Sequence, residues 1–299
     1  MSSSIRLLAS LIAIAAAFLC SCDRQSTVSQ ANRGPYQTRR QIFKTHLLRH
    51  GPSPQRYRDE QPPAGVDEVY YPSNGHQLKG WLFRPRTPAG SRPPVLVYFH
   101  GGYAFGMDDM LVCKPFADAG FVVFTPMLRG ENGNPGDFEM YMGEVDDARA
   151  AIQWIAGQDG VDKGHIYTFG HSAGGVVSAL LSLFDDLPVK LTGSSGGLYG
   201  PRLFVGDKKC PFDAADPHET GLRTLVGNVP DMKLPHIAYV GDKDRYQEVK
   251  AARQERPGLS PLSVTVLNGD HFSVLPESFQ QYLQQVKASR QSEDAPAAR

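Results

Sequence analysis

Residues 165–184 read HIYTFGHSAGGVVSALLSLF. The apolar run HIYTFG (165–170) is a buried strand, and Ala173 to Phe184 has the composition of a buried helix. Between them lies Gly170-His171-Ser172-Ala173-Gly174, a G-x-S-x-G on a strand-to-helix turn. A turn this tight requires small flanking residues, and glycine tolerates both the close approach and the unusual dihedrals. Ser172 is thrust out above the sheet edge at the start of the helix. There the Ala173 backbone N–H can donate to an oxygen that gains negative charge.

Upstream, PVLVYFH (94–100) is a continuous apolar run, as a strand covered on both faces requires. It ends in His100-Gly101-Gly102-Tyr103, where glycines let a loop present the backbone N–H groups of Gly102 and Tyr103 to a reacting carbonyl. FVVFTPML (121–128) is a second buried strand. VDEVYYPS and HQLKGWLFRP flank Asn74-Gly75, a hairpin signal, and open the fold as an antiparallel pair. Helices are expected near 108–118, over 138–156, and around 276–287. Further strands fall at 189–196, 236–242 and 262–270. Strands interleaved with helices predict an α/β fold, a mostly parallel sheet of about eight strands with helices on both faces. Residues 197–234 have weak periodicity and read as a small lid or an irregular crossover.

The two glycine motifs, some 70 residues apart, resemble the α/β-hydrolase superfamily, and the resemblance covers 66–288. Within it the chain is similar to esterases, dienelactone hydrolases and prolyl-oligopeptidase-like catalytic domains. MLRGENGNPGDFEMYMGEVDDARAAIQWI (127–155) resembles the stretch before the nucleophile strand in the peptidases, whereas His171-Ser172-Ala173 is more esterase-like. The resemblance implies an α/β-hydrolase fold and a serine hydrolase of carboxylic esters or small amides, working without a cofactor. A peptidase on short peptides is the alternative, and a non-catalytic binding lipoprotein is the reading from another class. It also implies the order serine, acid, histidine. Ser172 is the nucleophile, and Gly102, Tyr103 and Ala173 supply the oxyanion hole. The acid is Asp244, with Asp242 as its rival in Gly241-Asp242-Lys243-Asp244. His271, in Asn268-Gly269-Asp270-His271-Phe272, is the base. His218 and His236 read as structural or solvated, and His100 and His171 lie too close to the glycine motifs to face the serine. Trp81 and Trp154 read as packing residues. Asp146 and Asp147 read as a solvated helix face or cap, and Glu131-Asn132-Gly133-Asn134 as a surface turn.

The chain has 299 residues, with 31 basic and 31 acidic side chains. Zero net charge argues against a dedicated nucleic-acid binder. Its four cysteines are too few for a disulfide scaffold. Cys113 and Cys210 are left open as a pair or as two thiols. No CxxC, HExxH or paired-histidine spacing occurs, so no metal is assigned. Residues 5–19, IRLLASLIAIAAAFL, have the length of a signal-peptide core rather than a membrane span, which needs about 20 residues. Leu19-Cys20-Ser21-Cys22 resembles a bacterial lipobox, with Cys22 the lipidated residue. The expected layout is a lipoprotein signal over 1–21, a polar tether over 22–65, the hydrolase domain over 66–288 and a disordered tail over 289–299. The expected location is the periplasmic face of a bacterial membrane, with Asp23 favouring the inner one. Eight basic residues against three acidic ones in 22–60 would be drawn to anionic lipid. Ile42, Phe43, Leu47 and Leu48 suggest one or two amphipathic helical turns.

Overall fold

A computed structural model describes residues 34–256, 258 and 260–294. The signal segment and Cys22 lie outside the described residues. The described residues fall into two compact units, one up to Lys44 and the other from Thr45 onward. In the first, helix α1 (Tyr36–Ile42) follows Pro35, whose fixed φ suits a helix start. The amphipathic turns expected at 42–48 do not form. The chain is extended at Phe43, and Leu47 makes an isolated bridge to Phe212. No helix among the described residues is long and apolar enough to cross a membrane.

The second unit runs β1 (Val66–Ser73), β2 (His76–Phe83), β3 (Val95–Phe99), α2 (Met107–Val112), α3 (Lys114–Asp118), β4 (Val122–Pro126) and α4 (Gly143–Gly157). It continues with β5 (Ile166–His171), α5 (Ala173–Leu181), β6 (Val189–Ser195), α6 (Pro217–Gly221), β7 (His236–Gly241), α7 (Glu248–Ala252), β8 (Leu262–Leu267) and α8 (Leu275–Asp294). One eight-stranded sheet has the order β1-β2-β4-β3-β5-β6-β7-β8. The β1–β2 and β2–β4 pairs are antiparallel and the remaining pairs are parallel. The three continuous apolar runs become β3, β4 and β5, buried along their whole length, while edge strands β1 and β8 are partly exposed. Asn74 and Gly75 take φ of 46° and 82°, the left-handed pair that a two-residue hairpin needs. Helix α4 packs on α5, and α3 packs on α8, so the sheet carries helices on both faces. Under α3 and α8, Phe116 and Phe169 each meet the Phe279 ring edge-on at 5.0 Å.

Several boundaries depart from the periodicity, each for a local reason. The helix expected over 108–118 is broken at Cys113, because Pro115 has no N–H to give to Leu111. The helix expected from 138 starts only at Gly143. Glu144 Oε1 accepts from the N–H groups of Glu139 (2.7 Å) and Met140 (3.1 Å), which holds 139–142 as a loop. Met140 and Tyr141 both take positive φ there, 53° and 77°. The tail expected to be disordered from 289 is helical to Asp294. Glu293 meets Lys190 at 3.1 Å and His165 at 3.3 Å, tying the end of α8 to the body. The stretch read as a tether to residue 65 joins the hydrolase body from Thr45 onward. Thr45 and the His46 N–H reach Glu219, and Ser53 N–H donates to Gly130 O.

Asp147 does not face solvent. It is fully buried and receives Arg129 Nε (2.8 Å), Arg129 Nη2 (2.8 Å), the Arg129 N–H (3.0 Å) and Ser73 Oγ (2.5 Å). This fork joins the loop after β4 to α4. A second buried network lies inside the sheet. His236 Nδ1 lies 2.8 Å from Thr192 Oγ1, and Nε2 lies 2.8 Å from Ser194 Oγ. Thr192 Oγ1 already donates to Pro235 O, so it accepts from His236 Nδ1–H, and Nε2 is left as an acceptor. Burial pushes the His236 pKa down to about 3 and keeps the ring neutral.

Replacing Asp147 with Ala leaves the buried Arg129 guanidinium with Glu139 as its remaining carboxylate and should cost about 3 kcal/mol, measured by urea unfolding. For His236, protonation is penalised only in the folded state. Its contribution to stability is complete above the unfolded value near 6.5 and falls as pH drops toward 3. His236→Gln keeps a donor and an acceptor but cannot titrate. Its Tm should fall less than that of the parent between pH 6.5 and 4; parallel declines would show that another group governs the acid limb.

Candidate active site

Strands β4 and β5 lie on either side of β3, and the chain leaves β3 toward α3 but leaves β5 toward α5, on opposite faces of the sheet, so a crevice opens between the carboxyl ends of β3 and β5. Ser172 stands in it, with φ of 52° and ψ of −112°. The flanking glycines are enforced by contact. A Cβ on Gly170 would lie 2.0 Å from Gly174 O, and one on Gly174 would lie 2.1 Å from Phe99 O at the end of β3. Gly174 N–H donates to His100 O (3.0 Å) and Ser172 N–H to Ser195 O (3.0 Å). The elbow is thereby tied to both neighbouring strands.

Ser172 Oγ lies 2.9 Å from His271 Nε2, and His271 Nδ1 lies 2.8 Å from Asp244 Oδ2. Three loops, after β5, β7 and β8, bring these groups together across about 100 residues of chain. The Asp244 carboxylate is fully buried, and its Oδ1 accepts the Tyr246 N–H at 2.9 Å. Asp242 does not reach the imidazole. Its Oδ1 accepts the Gly269 N–H at 2.8 Å and clips the β7 loop to the β8 loop. Asp270 Oδ1 accepts from the N–H groups of Phe272 (3.1 Å) and Ser273 (2.9 Å), which closes the turn that carries His271. These bonds hold the Asp270 pKa below the usual carboxylate range. His171 braces the base from the other side: its Nε2 lies 3.1 Å from His271 O. Burial lowers the His171 pKa, so it meets that carbonyl as a neutral ring with Nε2–H.

Of the three expected oxyanion donors, two are open. Ala173 opens α5, so its N–H has no intrahelical acceptor, and Gly102, with φ of 72°, donates to no acceptor among the described residues. The third, Tyr103 N–H, is engaged by Gln55 Oε1 at 3.0 Å, and Ser53 Oγ donates to Tyr103 O. Gln55 and Ser53 carried no sequence signal, because they sit in the stretch read as a tether.

The Glu131-Asn134 segment is not a surface turn, and it braces the oxyanion loop. Glu131 Oε2 lies 3.1 Å from His100 Nε2 and accepts the Leu128 N–H at 2.8 Å. Burial alone would lower the His100 pKa, but the charge of Glu131 and the hydrogen bond to it raise the value to about 9. The Asn132 side chain bridges the N–H and C=O of Phe105, both at 2.8 Å. Cys113 and Cys210 are both buried free thiols. His218 lies in α6, and its N–H bonds the Asp216 cap. Ser194 and His236 form another serine–histidine contact, but both are fully buried within the sheet, and the ring's second nitrogen meets Thr192 rather than a carboxylate.

Two spaces flank Ser172. One, of about 330 Å³, runs beneath the oxyanion loop between Gly102, Tyr103, Phe138, Tyr141, Glu144 and Ala173. The other, of about 850 Å³ and open to solvent, lies between Ser172, Leu198, Tyr246, His271 and Phe272. The arrangement can polarise a hydroxyl through a histidine whose other nitrogen is anchored on a buried carboxylate. It also offers two N–H groups to a developing anion.

The chain is 38% identical over 121 residues to an uncharacterized protein of Mycobacterium tuberculosis, covering 40% of this chain and 42% of the relative. It is 33% identical over 116 residues to the uncharacterized peptidase YtmA of Bacillus subtilis, covering 38% and 44%. The match thus spans less than half the length of these relatives. Among solved structures, the hyperthermophilic esterase from Pyrobaculum calidifontis superposes with a TM-score of 0.58 at 22% identity, over 80% of this chain and 88% of that one. That likeness carries the fold, an α/β-hydrolase. The model of the family described as X-Pro dipeptidyl-peptidase (S15 family) matches residues 31–190, from before the sheet through the elbow to the start of β6. More than half of the chain falls within that match, and on it the protein belongs to the X-Pro dipeptidyl-peptidase (S15) family.

Proposed function

We propose that the protein is a serine hydrolase that cleaves a carboxylic ester or a small amide through an acyl-enzyme. The observation that carries this reading is the chain of contacts from Ser172 Oγ to His271 to Asp244, 2.9 and 2.8 Å long, beside two open N–H donors. In the first step Ser172 Oγ adds to the substrate carbonyl while His271 Nε2 takes its proton. Gly102 and Ala173 stabilise the oxyanion. His271 then returns the proton to the leaving oxygen or nitrogen, which departs through the open space beside Tyr246 and Phe272. Water attacks the acyl group by the same steps, with His271 again as base, and frees Ser172. Asp244 fixes the imidazole tautomer and offsets the charge of the imidazolium.

Esters are the favoured substrates. An alkoxide or phenoxide leaves more readily than an amine, which must be protonated as it departs and so demands more accurate placement of His271. Short peptides are the second reading, supported by the family match and by the relative named as a peptidase. We also propose, from Leu19-Cys20-Ser21-Cys22, that the exported chain is lipidated at Cys22 and held at the periplasmic face of a bacterial membrane.

Ser172→Ala and His271→Ala should each lower kcat/KM by at least ~10³-fold with the fold intact. Asp244→Asn should fall far below Asp242→Asn, and a fluorophosphonate probe should label Ser172. Equal labelling of the parent and Ser172→Ala proteins would remove the serine from the mechanism. Measured on one preparation, p-nitrophenyl esters should be cleaved faster than aminoacyl or prolyl amides. Amide turnover that matches ester turnover would move the assignment to peptidase. Mass spectrometry of the membrane fraction should find a diacylglyceryl-modified Cys22 at the mature N-terminus; an unmodified N-terminus elsewhere would end the anchor proposal.

A further inference from the structure

The open space beside Ser172 is walled by the loops that carry the acid and the base, and this wall combines flat rings with cations. Phe272 follows the base and is 72% exposed, with its ring set edge-on to the His271 imidazole at 5.0 Å. Tyr246 meets the same imidazole at 5.7 Å. Lys243 and Arg245 flank the catalytic acid in sequence, and both line the space. The Arg245 guanidinium lies 4.5 Å from the centroid of the Tyr246 ring, and its Nη2 donates to the Tyr246 hydroxyl. Lys243 Nζ donates to Asn268 Oδ1 at 3.2 Å. Neither cation is paired with a carboxylate among the described residues, because the acids nearby are committed elsewhere. Asp244 holds His271, Asp270 accepts the N–H groups of its own turn, and Asp242 accepts the Gly269 N–H. Glu248 packs against Gly200 and does not line the space. The loop that carries both cations is also held in place. Gln247 Nε2 lies 3.1 Å from Gly241 O, 3.1 Å from Asp242 O and 2.7 Å from Asp244 O, so this turn winds around one amide.

We propose that this wall is a leaving-group subsite, and that the substrates release a phenol or amine with an aromatic body and a carboxylate end. The proposal rests on the serine hydrolase reading and names the substrate class of that same site. Proton transfer fixes which part of the substrate lies here. The departing atom takes its proton from His271 Nε2, so the leaving group sits on the imidazole's side of Ser172. The acyl group is left with the space under the oxyanion loop, beside Gly102 and Ala173. Phe272 and Tyr246 offer ring area to a flat body, and covering an exposed ring removes apolar surface from water. Lys243 and Arg245 meet the carboxylate. Stacking on Tyr246 holds the plane of the Arg245 guanidinium, and only one of its nitrogens is spent on the hydroxyl, so other donors stay open. A neutral leaving group would use the rings alone. An ammonium would face two cations and, in the transition state, the imidazolium of His271 as well. Exposed ion pairs are weak, which suits a subsite that must release its product before water reaches the acyl-enzyme.

The test uses the phenolic acetyl esters of 4-hydroxyphenylacetate and 3-(4-hydroxyphenyl)propanoate, each against the ester in which a primary carboxamide replaces the carboxylate. Within a pair the phenols leave with nearly the same basicity, and each kcat/KM is divided by the ester's spontaneous hydrolysis rate. In at least one pair the parent enzyme should favour the carboxylate by roughly 5-fold or more in dilute buffer, the range of two exposed ion pairs. The preference should shrink in about 0.5 M NaCl, where charges are screened over a few ångströms. Lys243→Gln combined with Arg245→Gln should abolish it, and because the ratio is taken within one protein, a change in general activity cancels. The mono(4-methylphenyl) ester of hexanedioic acid, compared with 4-methylphenyl heptanoate, moves the carboxylate to the acyl side and should show no such preference. The parent ratios and the acyl-side control are read without any variant. A preference that survives the double variant or the added salt, or an equal preference for the acyl-side carboxylate, would overturn the subsite. Turnover of the carboxamide esters with a ratio near one in both pairs overturns this inference alone. Failure to turn over any ester or amide overturns the hydrolase reading and this inference with it.

Discussion

The contact between Gly174 and the Phe99 carbonyl is the constraint on which the site depends. It seats the first turn of α5 against the end of β3, closer than any side chain would allow. Only at that distance do Ala173 and Gly102, which belong to different strand-to-helix connections, face the same point in space. The strained φ of Ser172 is a consequence, because the chain must reverse within one residue to enter α5 at that place. The parallel pairing of β3 with β5 fixes the relation between the two connections before any loop closes. The remaining braces, Glu131 on His100 and His171 on the His271 carbonyl, fix the pieces that this contact leaves free to move.

A second organising feature is the density of buried charge on the α4 side of the site. Arg129 is gripped by Asp147 and reaches Glu139, while Glu144 and Glu139 hold the loop between them. Such clusters add little net stability compared with apolar packing, since desolvation opposes the Coulomb gain. Their effect is geometric. The Arg129 fork has several donors in one plane and meets Asp147, which also accepts from Ser73 Oγ, so the loop after β4, helix α4 and the end of β1 are set in a single relation. Apolar side chains could fill the same volume, but they would not fix the direction of the Glu139–Met142 backbone or force Tyr141 into the left-handed region.

The parts of this molecule that were legible in sequence are those in which one backbone requirement maps onto one residue type. Buried central strands need unbroken apolar runs, the hairpin needs Asn74-Gly75, and the elbow needs glycine at 170 and 174. The choice of Asp244 over Asp242 came from the family resemblance, and no local rule separates the two. Both follow Gly241, and only the three-dimensional course of the loop sends one carboxylate to the imidazole and the other to the Gly269 N–H. Asp147 and Glu131 were read as solvated for a related reason. A charged residue on an amphipathic helix or in a glycine-rich turn looks exposed until its partner is known, and the partners Arg129 and His100 lie 18 and 31 residues away. Residues 45–60 were the largest misreading. Their polar composition does mark an irregular segment, but side-chain bonds to Glu219, Asp137 and the oxyanion loop replace the missing periodicity.

That misread segment changes how the oxyanion hole is understood. With Tyr103 N–H committed to Gln55, charge on the tetrahedral oxygen is met by Gly102 and Ala173, one donor from each connection. Two such donors are sufficient for acyl transfer in this architecture. Gln55 therefore does not disable the site. By holding the N–H of the Gly102–Tyr103 peptide from outside, with Ser53 on the Tyr103 carbonyl, it fixes the plane of that peptide and restrains the Gly102 loop. A glycine with φ of 72° has little intrinsic preference for one conformation. A loop built on two glycines, Gly101 and Gly102, would wander without an external tie. The precision that an oxyanion donor needs is thus supplied here by a polar segment from outside the sheet, while the nucleophile gets its own from steric contact within it.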